Sequence, residues 1–137
     1  MTANRIPEPA ADPAAGPVRR WRIRLEVDEP GSRVAVAIDA DGTTLGLATA
    51  GDTRDTDAPT AWELYSINVT AQQQGSGMAD DLIRITAGSS DTTVWVLAGN
   101  LRAQRFYVRH GFLVEGASTT DEVTGARQMR MVRRSAR

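Results

Sequence analysis

The run Gln72-Gln73-Gln74-Gly75-Ser76-Gly77-Met78 carries the chemistry most readily read from this chain. It follows an apolar, β-branched stretch, Leu64-Tyr65-Ser66-Ile67-Asn68-Val69. It precedes a helical pattern, Met78-Ala79-Asp80-Asp81-Leu82-Ile83-Arg84-Ile85. A strand that enters a helix through a glycine-bearing loop aims unpaired N–H groups and the positive end of the helix dipole at one spot. Such a spot receives phosphate. Glycine leaves room for an anion and tolerates positive φ, although a helix start also uses glycine for conformation alone. The pattern is not the Gly-x-x-x-x-Gly-Lys-Ser/Thr of a nucleoside-triphosphate loop. Nor is it the full dinucleotide fingerprint, because Asp80 stands where a third glycine belongs.

Other chemistries lack their residues. There is no cysteine, which excludes disulfides, thiolate metal sites and a thiol nucleophile. His110 is the single histidine, so no metal site and no Ser-His-Asp arrangement is expected. It precedes Gly111 at a helix end, where a cation complements the dipole.

The elements that must position the loop follow from periodicity. Trp21, Ile23, Leu25 and Val27 alternate with charged residues as a half-buried strand. Glu29-Pro30-Gly31-Ser32 is a turn, and Val34, Val36 and Ile38 form the next strand. Asp39-Ala40-Asp41-Gly42 turns the chain back into Thr44–Ala50. After a polar loop, Trp62–Val69 is a central strand. The helix from Met78 ends near Gly88. Val94–Leu97 is a further strand, Leu101–Arg109 a short helix that Asn100 caps, and Phe112–Glu115 and Gln128–Val132 the closing strands. The order implies an α/β fold with a mixed, mostly antiparallel sheet.

Three pieces in this order resemble the GNAT superfamily of N-acetyltransferases. They are Glu63-Leu64-Tyr65-Ser66-Ile67-Asn68-Val69, the loop Gln72-x-x-Gly75-x-Gly77, and Trp95-Val96-Leu97-x-x-Asn100-x-x-Ala103-x-x-Phe106-Tyr107-x-x-x-Gly111-Phe112. The resemblance covers roughly Val34 to the C-terminus. It implies an acyl-CoA N-acyltransferase fold with helices flanking the sheet, whose central strands, Trp62–Val69 and Val94–Leu97, splay to admit a pantetheine arm. It implies acetyl-CoA as cosubstrate and transfer of acetyl to a primary amine by direct attack. One departure stands out: GNAT domains usually carry two helices between their first and second strands, and here only the Glu29–Ser32 turn lies there. Those helices normally wall the acceptor site, so the wall comes from a second subunit, from the substrate, or is missing.

On this resemblance the pyrophosphate sits on the amides of Gln73, Gln74, Gly75, Ser76, Gly77 and Met78, with Gln72 bracing the loop. The alternative for both Gln72 and Gln74 is solvated loop polarity, and the motif favours function more clearly for Gln72 than for Gln74. Ile67 and Val69 offer main-chain groups to pantetheine as an added strand, besides serving the core. Asn100 adds a cofactor contact to its capping role. Tyr107 is the candidate acid that protonates the leaving thiolate; as a core tyrosine it would only make a structural bond. Glu63 is the candidate general base, set against an ordinary strand carboxylate, and Glu115, Asp121 and Glu122 are weaker candidates. Arg102, Arg105 and Arg109 share a helix face that is either solvated or turned to the adenosine 3′-phosphate.

The chain has 137 residues, enough for one domain with a real core. Residues 1–18, rich in Pro and Ala, are expected to form a disordered tail before a domain over 19–137. A net charge of −1 recruits neither nucleic acid nor an anionic membrane. All 16 basic residues are arginine. No apolar stretch approaches a membrane span and no secretory segment is visible, so a cytoplasmic protein is expected. Two readings besides the enzyme stay open: a non-catalytic acyl-CoA-binding module, and a subunit, a homodimer among the options, that needs a partner to complete the acceptor site.

Overall fold

Seven strands form one sheet in the order β1-β2-β3-β4-β5-β7-β6, with two helices. The computed structural model describes residues 21–134, and the tail expected over 1–18 lies outside them. The strands are β1 (Arg22–Glu29), β2 (Ser32–Ile38), β3 (Thr44–Asp52), β4 (Trp62–Val69), β5 (Thr92–Leu97), β6 (Leu113–Thr120) and β7 (Arg127–Arg133). Helix α1 (Met78–Ala87) joins β4 to β5, and α2 (Leu101–Arg109) joins β5 to β6. Only β4 and β5 pair in parallel; every other neighbour is antiparallel. This is the mixed sheet expected from the order of elements.

The parallel pair is short. Trp62, Glu63 and Leu64 lie opposite Thr92, Thr93 and Val94, and the register ends there. Past Leu64 the strands diverge, which is the expected splay. A bulge accompanies it: Thr49 faces Ser66 while Ala50 faces Leu64, so Tyr65 is the extra residue on β4. An inserted residue bends its strand and raises the local twist.

Strand alternation sorts the sheet into two faces. One carries Ala35, Ala37, Ala48, Ala50, Leu64, Ile67, Val94, Val96 and Met131, and all of these belong to a single core cluster. The buried residues of both helices join the same cluster: Met78, Leu82, Ile83 and Ala87 from α1, Ala103, Phe106 and Tyr107 from α2. Both helices therefore pack on one face of the sheet. Alanine dominates β2 and β3 beneath α1, and Gly46 lets the helix approach closely. A Cβ on Gly46 would stand 2.9 Å from the Met78 sulfur and 3.0 Å from Leu82 Cδ1.

The far end of α1 is fastened by the sheet. Arg33 donates to the Ile85 carbonyl at 3.1 Å, the Trp62 indole N–H to Thr86 O at 3.1 Å, and Arg133 to Ala87 O at 3.4 Å. These donors satisfy carbonyls that a helix end leaves open, and the two cations complement its negative pole.

The first two strands meet through Pro30-Gly31 alone, so no helix pair intervenes between them. Part of the second face is instead crossed by the β3–β4 connection. The Arg54 N–H and guanidinium each bond the Glu63 carboxylate at 2.9 Å, and Asp55 accepts from the Trp95 indole at 2.8 Å. Arg130, only 1% exposed, is held by Asp55, Asp57 and Glu115 at 3.0–3.2 Å. Its bonds to Glu115 and Asp57 hold both carboxyls below the usual carboxylate range.

Candidate functional site

A cavity of about 550 Å³ opens between the β4–α1 loop and α2. Its wall includes Val69 at the end of β4, then Gln73, Gln74, Gly75, Gly77 and Asp80, and on the far side Arg102, Arg105 and Arg109 with Phe106. The loop is shaped to face it. Residues Ala71–Gln73 make one 3-10 turn, and Gly75 and Gly77 adopt left-handed φ of 81° and 94°. Side chains disfavour that region, which accounts for both glycines.

Not every loop amide is available. The N–H groups of Gln73, Gln74 and Ser76 bond the carbonyls of Thr70, Ala71 and Gln73, and Met78 N–H reaches the Ser76 hydroxyl at 3.3 Å. Among the described residues, the N–H groups of Gly75 and Gly77 make no hydrogen bond. Both glycines line the cavity, and Gly77 is the N-cap of α1. Two unbonded N–H donors beside a helix N-terminus, with three arginines across the cavity, are a donor set suited to an anion.

Asp80 is the one carboxylate on that wall, and sequence reasoning treated it only as a missing glycine. Its Oδ1 accepts from His110 Nε2 at 2.6 Å and from Arg109 at 2.8 Å. The bond to His110, with Arg109 beside it, holds its carboxyl well below the usual range, at about 2. Asp80 thereby ties the first turn of α1 to the last turn of α2 across the cavity. His110 caps α2 as expected and also makes this tie, which its own sequence position does not reveal.

A family model described as Acetyltransferase (GNAT) family matches residues 3–112. The chain belongs to the GNAT acetyltransferase family. Solved structures share its fold at low identity. A Corynebacterium glutamicum protein, titled histone acetyltransferase HPA2 and related acetyltransferase, aligns at 20% identity and a TM-score of 0.61. That alignment covers 78% of this chain and 66% of that one. Nourseothricin acetyltransferase aligns at 18% identity and a TM-score of 0.62, covering 83% and 84%. A NatC complex bound to Gag peptide and CoA aligns at 15% identity and a TM-score of 0.62, covering 75% and 71%. The chain thus spans about two thirds of the Corynebacterium protein. No curated protein matches the sequence.

Within this GNAT chain only some of the residues singled out from sequence come together. Val69, Gln73, Gln74, Gly75 and Gly77 meet at the cavity. Ser76 and Met78 stand behind it, their bonds turned inward to the loop, and Ile67 is a buried partner of Ala48 on β4. Gln72 is exposed and outside the cavity wall, whereas Gln74 is buried, which sets aside the solvated alternative for it. Asn100 caps α2 by accepting from the Ala103 N–H at 3.0 Å.

Tyr107 is 5% exposed and packs edge-on against Phe106 and Phe112. Its hydroxyl has no hydrogen-bond partner among the described residues. Burial pushes its phenol far up, so it stays protonated at any ordinary pH. Glu63 is 1% exposed with both oxygens engaged by Arg54. Glu115 belongs to the Arg130 cluster, and Asp121 accepts from the Val123 and Thr124 amides of the β6–β7 turn. Among the described residues, no group of three or more His, Asp or Glu is placed to hold a metal, and no helix is long and apolar enough to cross a membrane.

Proposed function

We propose that this GNAT chain is an N-acetyltransferase that takes acetyl from acetyl-CoA and passes it to a primary amine. The observation that carries the reading is the cavity in which the free Gly75 and Gly77 amides face Arg102, Arg105 and Arg109. A site with this donor set fits a ligand that bears phosphates at two places. The glycine amides and the α1 N-terminus would hold the pyrophosphate, and the α2 arginines the 3′-phosphate of the nucleotide. Ile67 and Val69 lie where β4 has left β5, which suits an extended pantetheine arm.

Bound acetyl-CoA supplies an activated thioester for attack by the amine. Tyr107 is the proton donor proposed for the leaving thiolate; burial keeps its phenol protonated and also makes it a weaker acid, so the role rests on its place in the family motif and not on the shift. Both Glu63 oxygens are already engaged by Arg54, one by its backbone N–H and one by its guanidinium. The arrangement better supports Glu63 as the anchor of Arg54 and the β3–β4 loop over the second face. The acceptor reaches the splay from that face, where the usual helix pair is replaced by the loop of Arg54, Asp55 and Asp57.

The test is release of free CoA from acetyl-CoA with a broad amine panel, alongside calorimetric binding of CoA. Binding with acceptor-dependent release supports the enzyme. Binding without release to any amine favours an acyl-CoA-binding module, and absence of binding removes both.

A further inference from the structure

Gln74 is the loop residue that the fold leaves unsatisfied. It lines the cavity, is 3% exposed, and neither its Nε2 nor its Oε1 has a hydrogen-bond partner among the described residues. A buried primary amide in that position costs far more than a solvated one. A methionine would fill nearly the same volume without that cost. Solubility does not require an amide there, since the neighbouring Gln72 is exposed and Gln73 half-buried. The Gln74 backbone is fixed, in an extended conformation with its N–H on the Ala71 carbonyl. Only the side-chain torsions are left to move.

The two orphaned atoms say what would satisfy them. A phosphate offers acceptors only and would leave Oε1 unpaired. A ligand amide offers both a carbonyl and an N–H, and pairs with a glutamine amide at both atoms. In a CoA ester the amides belong to the pantetheine arm, and Val69 on the same wall marks where that arm would leave β4. Resting on the CoA reading above, we infer that Gln74 is a ligand-responsive positioning residue. Its amide turns from under the loop into the cavity and pairs with a pantetheine amide. The free protein bears the cost of the unpaired amide, and binding relieves it.

The experiment compares wild type with Gln74→Met and Gln74→Ala. Thermal unfolding of the free proteins is measured, with calorimetry for two ligands: CoA, and adenosine 3′,5′-bisphosphate, which lacks the arm. Gln74→Met is expected to raise the free protein's Tm by roughly 3 °C or more. It should weaken CoA by about tenfold or more and leave the bisphosphate affinity unchanged. Gln74→Ala gives up packing, so its Tm is not diagnostic, but its ligand pattern should match that of Gln74→Met. Three results overturn the inference alone: undiminished CoA affinity, equal weakening of both ligands, or a lower Tm for free Gln74→Met. A wild type that binds neither ligand overturns the CoA reading itself.

Discussion

Replacing Gly77 by alanine separates the loop's backbone requirement from its ligand requirement. Gly77 has φ 94° and ψ −3°, and a Cβ built on it meets nothing within 4 Å. The substitution therefore creates no clash in the free protein, and its cost is conformational. Placing an L-residue in the left-handed region costs about 1–2 kcal/mol. Alanine's smaller unfolded-state entropy returns about 0.4–1 kcal/mol. The net loss is about 1 kcal/mol, a fall in Tm of roughly 3–6 °C for a chain of this size. The open space around that Cβ belongs to a residue on the cavity wall, so the methyl occupies room an anion needs. CoA affinity should fall by at least about tenfold, or about 1.4 kcal/mol. Differential scanning fluorimetry reads the first effect and isothermal calorimetry the second. A folded variant that binds CoA as wild type does refutes the anion site, and an unchanged Tm refutes the left-handed turn.

Other perturbations probe the remaining parts. Tyr107→Phe should keep CoA affinity and lower kcat with a competent amine by roughly a hundredfold; wild-type turnover would assign the proton to another donor. Glu63→Gln should cost about 1–2 kcal/mol in urea unfolding through the weakened Arg54 bonds, while kcat and its pH profile stay close to wild type. Loss of the acidic limb of that profile would instead make Glu63 the base. Asp80, with a folded pKa of about 2 against an ordinary 3.8, contributes stability that is present above pH 4 and lost as pH falls through 2. The stability gap between wild type and Asp80→Asn should therefore close over that interval, and a gap that stays constant in pH-resolved unfolding would discredit the His110–Asp80–Arg109 tie.

Sequence periodicity resolved β4 and α2 to their end residues, because Trp62–Val69 and Leu101–Arg109 are bounded by local signals: Thr70 with the glutamine run, and Asn100 with His110-Gly111. β6 ran longer than expected, to Thr120, since a bulge between Val114 and Ser118 hides its alternation. Gly75 and Gly77, both on the candidate cavity wall, were legible because backbone type decides them. The burial of Gln74 and the exposure of Gln72 were not. Three successive glutamines look alike in sequence, and the 3-10 turn alone decides which one is buried. Asp80 and His110 meet across 30 positions, and that contact exists only after α1 and α2 settle on one face. The Arg130 cluster escaped notice for the same reason, since Asp55 and Asp57 sit in a stretch that reads as plain polar loop.

The fastening of α1 has a mechanical consequence. Arg33 and Trp62 reach its last carbonyls from strands on one side of the split sheet, and Arg133 reaches them from β7 on the other. The helix is thus a tie bolted to both leaves of a hinge, at the end where β4 and β5 still touch. At its other end the leaves part, and no ladder bond sets their spacing. These three contacts oppose pivoting at the closed end. On the proposed CoA reading the pantetheine arm would enter this gap, and loosening the bolts, about three turns of helix away from the glycines, would alter the gap it meets.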